Sequence, residues 1–260
     1  VLGANVMLDL QYGPILTLNS PGLGRLAFRA YLHQSLAREI LTYPEAESLY
    51  QIKGDINLWG AVSYSDSVPM ISSKDNTLSF GGWRGRGDLA RSETTFEGQI
   101  LSVSLETGDR NFKLKPFSLK LTYKDSFQNV FVGQLVDTNT EFTAGYLRLT
   151  NSFTNEALEL RDLSVEVLND IDEDNQLMNF DFSLNVGEIA SSGYSAREIV
   201  VRADLKNLDI ATLQKFYTAG DYGFIGENTE EFLPLFSASP EVNITELSGI
   251  TSHGQITGHL

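Results

Sequence analysis

Apolar residues recur at every second position through most of this 260-residue chain, and that period decides what it can fold into. Phe112 and Leu114, then Phe117, Leu119, Leu121 and Tyr123, alternate with Lys113, Lys115, Ser118, Lys120 and Thr122. Leu158 and Leu160, then Leu163, Val165 and Val167, alternate with Glu159, Arg161, Ser164 and Glu166. The runs 180–186 and 199–205 do the same. Such a period suits a strand, whose successive side chains point to opposite faces. Charged residues fill the alternate positions, so one face meets water; that favours antiparallel sheet over a doubly covered parallel one.

Turn residues separate the runs at Thr107-Gly108-Asp109, across 169–175 and across 190–193. They divide the chain into roughly a dozen strands. Helix is the minority. Asp209 can cap a segment in which Ile210, Leu213 and Phe216 share a face and Gly220 ends it. Asn228 and Glu231 make a second start, stopped by Pro234. The stretch 24–41 reads as a strand entering a short helix. The expected fold is mainly β: a large, twisted, curled antiparallel sheet with two short helices in the C-terminal third, near 209–219 and 228–234. We expect one β-rich domain over 1–260, with a possible internal seam near 81–90 where Gly81, Gly82, Gly85 and Gly87 cluster. A Gly-Gln pair recurs in Phe96-Glu-Gly-Gln-Ile100, Phe131-Val-Gly-Gln-Leu135 and His253-Gly-Gln-Ile256, as repeats of a strand-plus-hairpin unit or chance would produce.

Composition narrows the functions. The formal charge is −15, from 34 acids against 19 bases, which repels polyanions; nucleic acid and bare anionic headgroups are poor partners, cations and basic proteins better ones. There is no cysteine, hence no disulfide, thiolate metal site or Cys nucleophile. A chain of this length can bury roughly three quarters of its unfolded surface without such staples. No apolar run reaches the length of a membrane-spanning helix. The chain opens at Val1 rather than Met, as it would if a leader or anchor had been removed.

Leu10-Gln-Tyr-Gly-Pro-Ile15, Val201-Arg-Ala-Asp-Leu-Lys-Asn-Leu-Asp209 and further patterns, in order along most of the chain, resemble the YdgA-type family of bacterial envelope proteins of unknown function. Leu10-Gln-Tyr-Gly-Pro-Ile15 is similar to its opening strand and His-Gly-Pro, with Tyr12 in place of the histidine. The segment 52–60 with Ser67-Val-Pro69, and Leu78-Ser-Phe-Gly-Gly-Trp83 with Gly85 to Gly87, resemble its next strands. Val201-Arg-Ala-Asp-Leu-Lys-Asn-Leu-Asp209 resembles its strand-to-helix step, and Pro240-Glu-Val-Asn-Ile-Thr-Glu-Leu-Ser through Ser252-His-Gly-Gln-Ile-Thr-Gly258 its late strand pair. The resemblance implies a periplasmic location, an inner-membrane anchor outside this chain, and a fragment of a longer protein. It assigns Tyr12 no role.

No group of residues reads as an active site. Asp170, Asp172 and Asp174, with Asp181 at the twelfth place, have the carboxylate spacing of a calcium loop, but Asn175 stands where the turn needs Gly and strands flank it; a solvated, mobile hairpin loop is the expectation. Arg86-Gly87-Asp88 is an adhesion tripeptide that falls inside a strand-like run, and Asn243-Ile-Thr245 is a sequon without meaning in a typical bacterial envelope protein. His33, His253 and His259 lack metal-pair spacing. No Gly-x-Ser-x-Gly occurs, and Gly22-Leu-Gly24 lacks the Lys-Ser/Thr of a phosphate loop. Trp59, Trp83 and the phenylalanines are core candidates. The expectation is a non-catalytic envelope module, structural or interaction-mediating, without cofactor or metal; the alternative is a periplasmic carrier or bridge for an apolar ligand such as a lipid. Its partners would be an envelope protein or an apolar ligand.

Overall fold

The computed structural model describes residues 4–16, 21–32, 41–42, 48–219 and 233–259. Among them seventeen strand segments join one antiparallel sheet, in agreement with the fold class expected. In chain order these are β1 (Ala4–Leu16), β2 (Pro21–Leu32), β3 (Leu41–Thr42), β4 (Tyr50–Asn57), β5 (Val62–Val68), β6 (Ile71–Ser73), β7 (Leu78–Phe80), β8 (Trp83–Leu89), β9 (Thr94–Ile100), β10 (Val103–Thr107), β11 (Arg110–Tyr123), β12 (Thr138–Asn151), β13 (Glu156–Asp172), β14 (Leu177–Ser191), β15 (Tyr194–Asp209), β16 (Glu241–Thr251) and β17 (Gly254–Gly258).

Several segments are halves of longer strands. β5 pairs with β8 while β6 pairs with β7, and the register Val68↔Trp83 continues without slip to Ile71↔Phe80. The same holds for Trp83↔Ile100 with Phe80↔Val103, and for Ile100↔Phe117 with Val103↔Leu114. From β4 to β17 the sheet is therefore a single meander in which each long strand pairs with the next in sequence.

One line of irregularity crosses this meander at right angles to the strands. It runs through Pro69-Met70, Gly81-Gly82, Leu101-Ser102, Lys115-Pro116, Gly145, Asp162, Gly187, Glu198 and Gly249, which face one another in register. The residue types explain it. Proline cannot donate to the ladder, and Asp162 and Glu198 hold left-handed φ angles of 52° and 51°, a bulge-like kink that leaves an extra residue in the strand. Glycine is required where neighbours crowd: a Cβ on Gly145 would lie 2.9 Å from Pro116 Cδ, and one on Gly187 3.0 Å from Asp162 Cβ.

The line has a consequence for the two faces. At Lys115-Pro116, Arg161-Asp162 and Arg197-Glu198 both consecutive residues are exposed, while the apolar residues on either side are buried or half-buried. The apolar set thus keeps to one face across the break; in an unbroken pleat a one-residue shift would send half of it to the other face. Two apolar rows flank the line, Val68-Trp83-Ile100-Phe117-Ala144-Leu163-Val186-Ile199 and Ile71-Phe80-Val103-Leu114-Leu147-Leu160-Ile189-Ala196. At the usual strand spacing each row is roughly 34 Å long.

Among the described residues helix is confined to α1 (Phe127–Phe131), which the alternation did not signal, and α2 (Ile210–Ala219), with a 3₁₀ turn at Leu233–Phe236. Asp209 caps α2 as expected, accepting from the Thr212 amide at 2.7 Å and its hydroxyl at 2.5 Å. Asn228 and Glu231, the expected start of the second helix, lie outside the described residues, as does 33–40, where the strand β2 was expected to enter a helix. Of the Gly-rich run 81–87, residues 83–87 are strand paired on both sides, while Gly81-Gly82 lie on the line of irregularity, Gly82 at φ 94°. The Gly-Gln similarity does not reflect repeated units: Gly98-Gln99 is mid-strand, Gly133-Gln134 follows α1 in a loop, and Gly254-Gln255 opens β17. The turns are also tighter than read. β13 runs to Asp172, so Asp170 and Asp172 are strand residues opposite Asn179 and Leu177, and only 173–176 turn.

Among the described residues the sheet is largely a single layer. The molecule exposes 17039 Å², against roughly 11,000 Å² for a compact chain of this size. Its buried apolar residues, Val136, Ala144, Val165, Met178, Val186 and Leu208, lie in or beside β12–β15.

Candidate functional site: an apolar sheet face with an open end

Among the described residues the apolar face is well covered at only one end of β12–β15. There the segment after α1 and the first turns of α2 close over it. Gln214 Oε1 accepts from the Leu135 amide at 2.9 Å and its Nε2 donates to the Gly133 carbonyl at 2.7 Å. Asn169 Nδ2 donates to the Val136 carbonyl at 2.8 Å, and Asp137 Oδ1 accepts from the Ile171 amide at 2.8 Å.

At the other end the same strands lie bare. Phe112, Leu149, Leu158 and Tyr194 line a cleft of about 930 Å³ that continues, through Ser191 and Tyr194, into one of about 530 Å³ reaching Ile189, Ala196 and Ile256. Leu105, Leu149, Tyr194 and Ile256 are 43%, 44%, 74% and 53% exposed. The strand period makes this surface: positions that face the core higher up the same strands face water here.

Towards the N-terminal half the apolar face becomes aromatic around one carboxylate. Asp66 stands at an apolar-face position of β5, between Tyr64 and Val68. Its Oδ2 accepts from Trp83 Nε1 at 2.8 Å and from the Tyr50 hydroxyl at 3.2 Å, while its Oδ1 is buried with no hydrogen-bond partner. Tyr64 and Trp83 stack on Phe96 at ring-centre distances of 6.5 and 5.9 Å. Glycine makes room for both large groups: a Cβ on Gly98 would overlap the Trp83 ring, and one on Gly85 the Asp66 carboxylate. Burial, then the Asp66 charge, pushes the Tyr50 hydroxyl up to about 12, and the same two causes raise Tyr64.

The opposite face is polar and laddered by cross-strand ion pairs: Lys120–Glu141 at 3.1 Å, Arg148–Glu159 at 3.2 Å, Arg161–Glu188 at 3.5 Å and Arg202–Glu246 at 2.8 Å. Exposed pairs of this kind add little stability and chiefly fix register. Here too Asn243, the sequon residue, donates to Asp204 at 2.9 Å.

The motifs weighed from sequence do not assemble into a site. Asp172 caps its own turn, accepting from the Asn175 amide at 3.1 Å and side chain at 2.8 Å, which holds its carboxyl below the usual carboxylate range. Asp181 faces Leu168 and Asp204 rather than Asp170. Among the described residues no group of three or more His, Asp or Glu is placed to hold a metal. Arg86 pairs with Glu97 and Asp88 accepts from Ser63, both within strands. Gly22 and Gly24 lie inside β2, and His253 and His259 are exposed near the C-terminal end; His33 and the Tyr12 side chain lie outside the described residues. Asp66 was overlooked in the sequence, although a carboxylate at an inward position of an alternating strand was the available signal.

Neither the curated proteins nor the solved structures compared with the chain gave a match. Residues 5–260 match the family described as "Bacterial protein of unknown function (DUF945)", and the chain belongs to that bacterial family.

Proposed function

We propose that this domain is a non-catalytic module of the bacterial envelope that holds an elongated apolar molecule, an acyl chain of lipid type, against its apolar sheet face. The observation that carries the reading is the pair of apolar rows, roughly 34 Å long, that lead to bare clefts rather than to a second layer among the described residues. Apolar patches of this extent are rare on monomers and mark interaction surfaces. An extended chain is the occupant that fits a long narrow stripe. The acidic charge of the chain disfavours direct adsorption to an anionic bilayer surface, so the ligand is taken up by its apolar part. The envelope setting rests on the resemblance of the strand and turn motifs.

Native mass spectrometry of the gently purified protein tests this. Lipid-sized adducts on the wild type, lost in Leu149→Asp at unchanged far-UV circular dichroism, are expected. A clean apo mass with a stoichiometric co-purifying protein would support a scaffold role in its place.

A further inference from the structure

A cavity of about 730 Å³ opens on the polar face, away from the apolar clefts. Its basic wall is one row of the sheet, Arg29↔Gln51↔Ser67↔Arg84, on β2, β4, β5 and β8, and Met70 and Leu101 border it. The lining contains two arginines and no carboxylate, in a chain where acids outnumber bases 34 to 19. Most other arginines on this face, though not Arg197, are matched by acids, as in Arg86–Glu97 and Arg148–Glu159. Arg84, by contrast, has no ion-pair partner among the described residues. Arg29 has only a loose one, its Nη1 3.6 Å from Asp9 Oδ2 and 3.9 Å from Met7 Sδ. Three strand spacings, roughly 14 Å, separate the two arginine backbones, a gap that two long side chains can close from both sides over the Gln51 and Ser67 donors.

We propose that this cavity binds a phosphate group. Planar guanidinium groups recognise phosphate through paired, charge-assisted hydrogen bonds, and an amide and a hydroxyl lie between them. The wall is rigid sheet, and Met70 and Leu101, 66% and 48% exposed, offer an apolar border for whatever carries the phosphate. The same chemistry could come from a free phosphate compound or from a lipid headgroup.

Isothermal titration calorimetry at low salt with inorganic phosphate and with dodecyl phosphate tests the site. At least one probe should bind the wild type, and Arg84→Gln and Arg29→Gln should each weaken it roughly tenfold or more, the loss expected for a hydrogen bond to a charged group. Arg148→Gln, in an ion pair on the same face, should leave binding unchanged. Tighter binding of dodecyl phosphate points to a lipid headgroup; equal binding points to a free phosphate compound. Absence of binding by both probes at millimolar concentration overturns the proposal, as does wild-type affinity in Arg84→Gln or an equal loss in Arg148→Gln. Should Arg29→Gln fail to fold, Arg84→Gln alone decides. Leu149→Asp should not alter phosphate binding, so this site and the apolar reading fail separately.

Discussion

The two ends of the strands β12–β15 carry the same alternation and end in opposite circumstances. At one end Met178 and Leu208 are 2% and 8% exposed under α2 and the segment after α1; at the other Leu149 and Tyr194 are 44% and 74% exposed. Nothing in the strands accounts for the difference. It comes from non-strand segments that, among the described residues, return over one end and not the other. Burial is therefore divided along the strands: the closed end supplies the packing, and the bare end is left with exposed apolar area.

The strongest way to break that comparison is to truncate one leucine at each end. Leu208→Ala should lower unfolding free energy by about 2–5 kcal/mol through lost transfer energy and a cavity, and Leu149→Ala by less than about 1 kcal/mol. Urea melts giving equal losses would show that the bare end is packed in solution. Asn169→Ala, which strips the buried Val136 carbonyl and the Thr138 hydroxyl of their partner, should cost about 1–3 kcal/mol in the same melts. Asp209→Ala removes the cap of the helix that closes this end, at about 0.5–2 kcal/mol; a loss exceeding that of Leu208→Ala would place the packing in the helix start instead.

The aromatic region offers a pH test. The Tyr50 pKa is raised in the fold, to about 12, so the unfolded chain releases this proton first. Its stabilising contribution is present below the ordinary tyrosine value near 10 and is lost as pH rises through about 12. Absorbance at 295 nm should show a late-titrating tyrosine that disappears in Tyr50→Phe and titrates earlier in Asp66→Asn. The smallest expected effect is at the acidic turn of the closed end. Millimolar calcium should leave the thermal midpoint unchanged, since Asp172 is occupied by Asn175; a rise of several degrees, abolished by Asp172→Ala, would reveal a bound cation.

Much of the fold was legible because strand signals are local. Each alternating run named a strand, and Asp209 named a helix start, since a cap needs only the next three residues. Errors arose where pairing extends beyond the propensity signal. Residues 169–175 are rich in turn formers, yet β14 offers partners to Asp172, so the strand outlasts its own composition. Lys206, by contrast, is exposed as its period requires and pairs with Asp204 at 3.0 Å, because residues two apart share one face of a strand.

The proposed phosphate cavity was less legible, because its residues come from different strands. Arg29, Gln51, Ser67 and Arg84 are adjacent only once three pairings are set in register, and nothing near any one of them in sequence names the others. The breaks in alternation, such as Leu114 to Phe117 and Leu160 to Leu163, are different again. The sequence by itself determined that these strands each carry an extra residue, since side-chain period is a property of one strand. Only the tertiary structure decided that the extra residues line up across the sheet, because hydrogen-bond register joins strands and is fixed by turn length and partner. That alignment keeps the apolar residues on one face, because the shift in side-chain period falls at the same level in every strand.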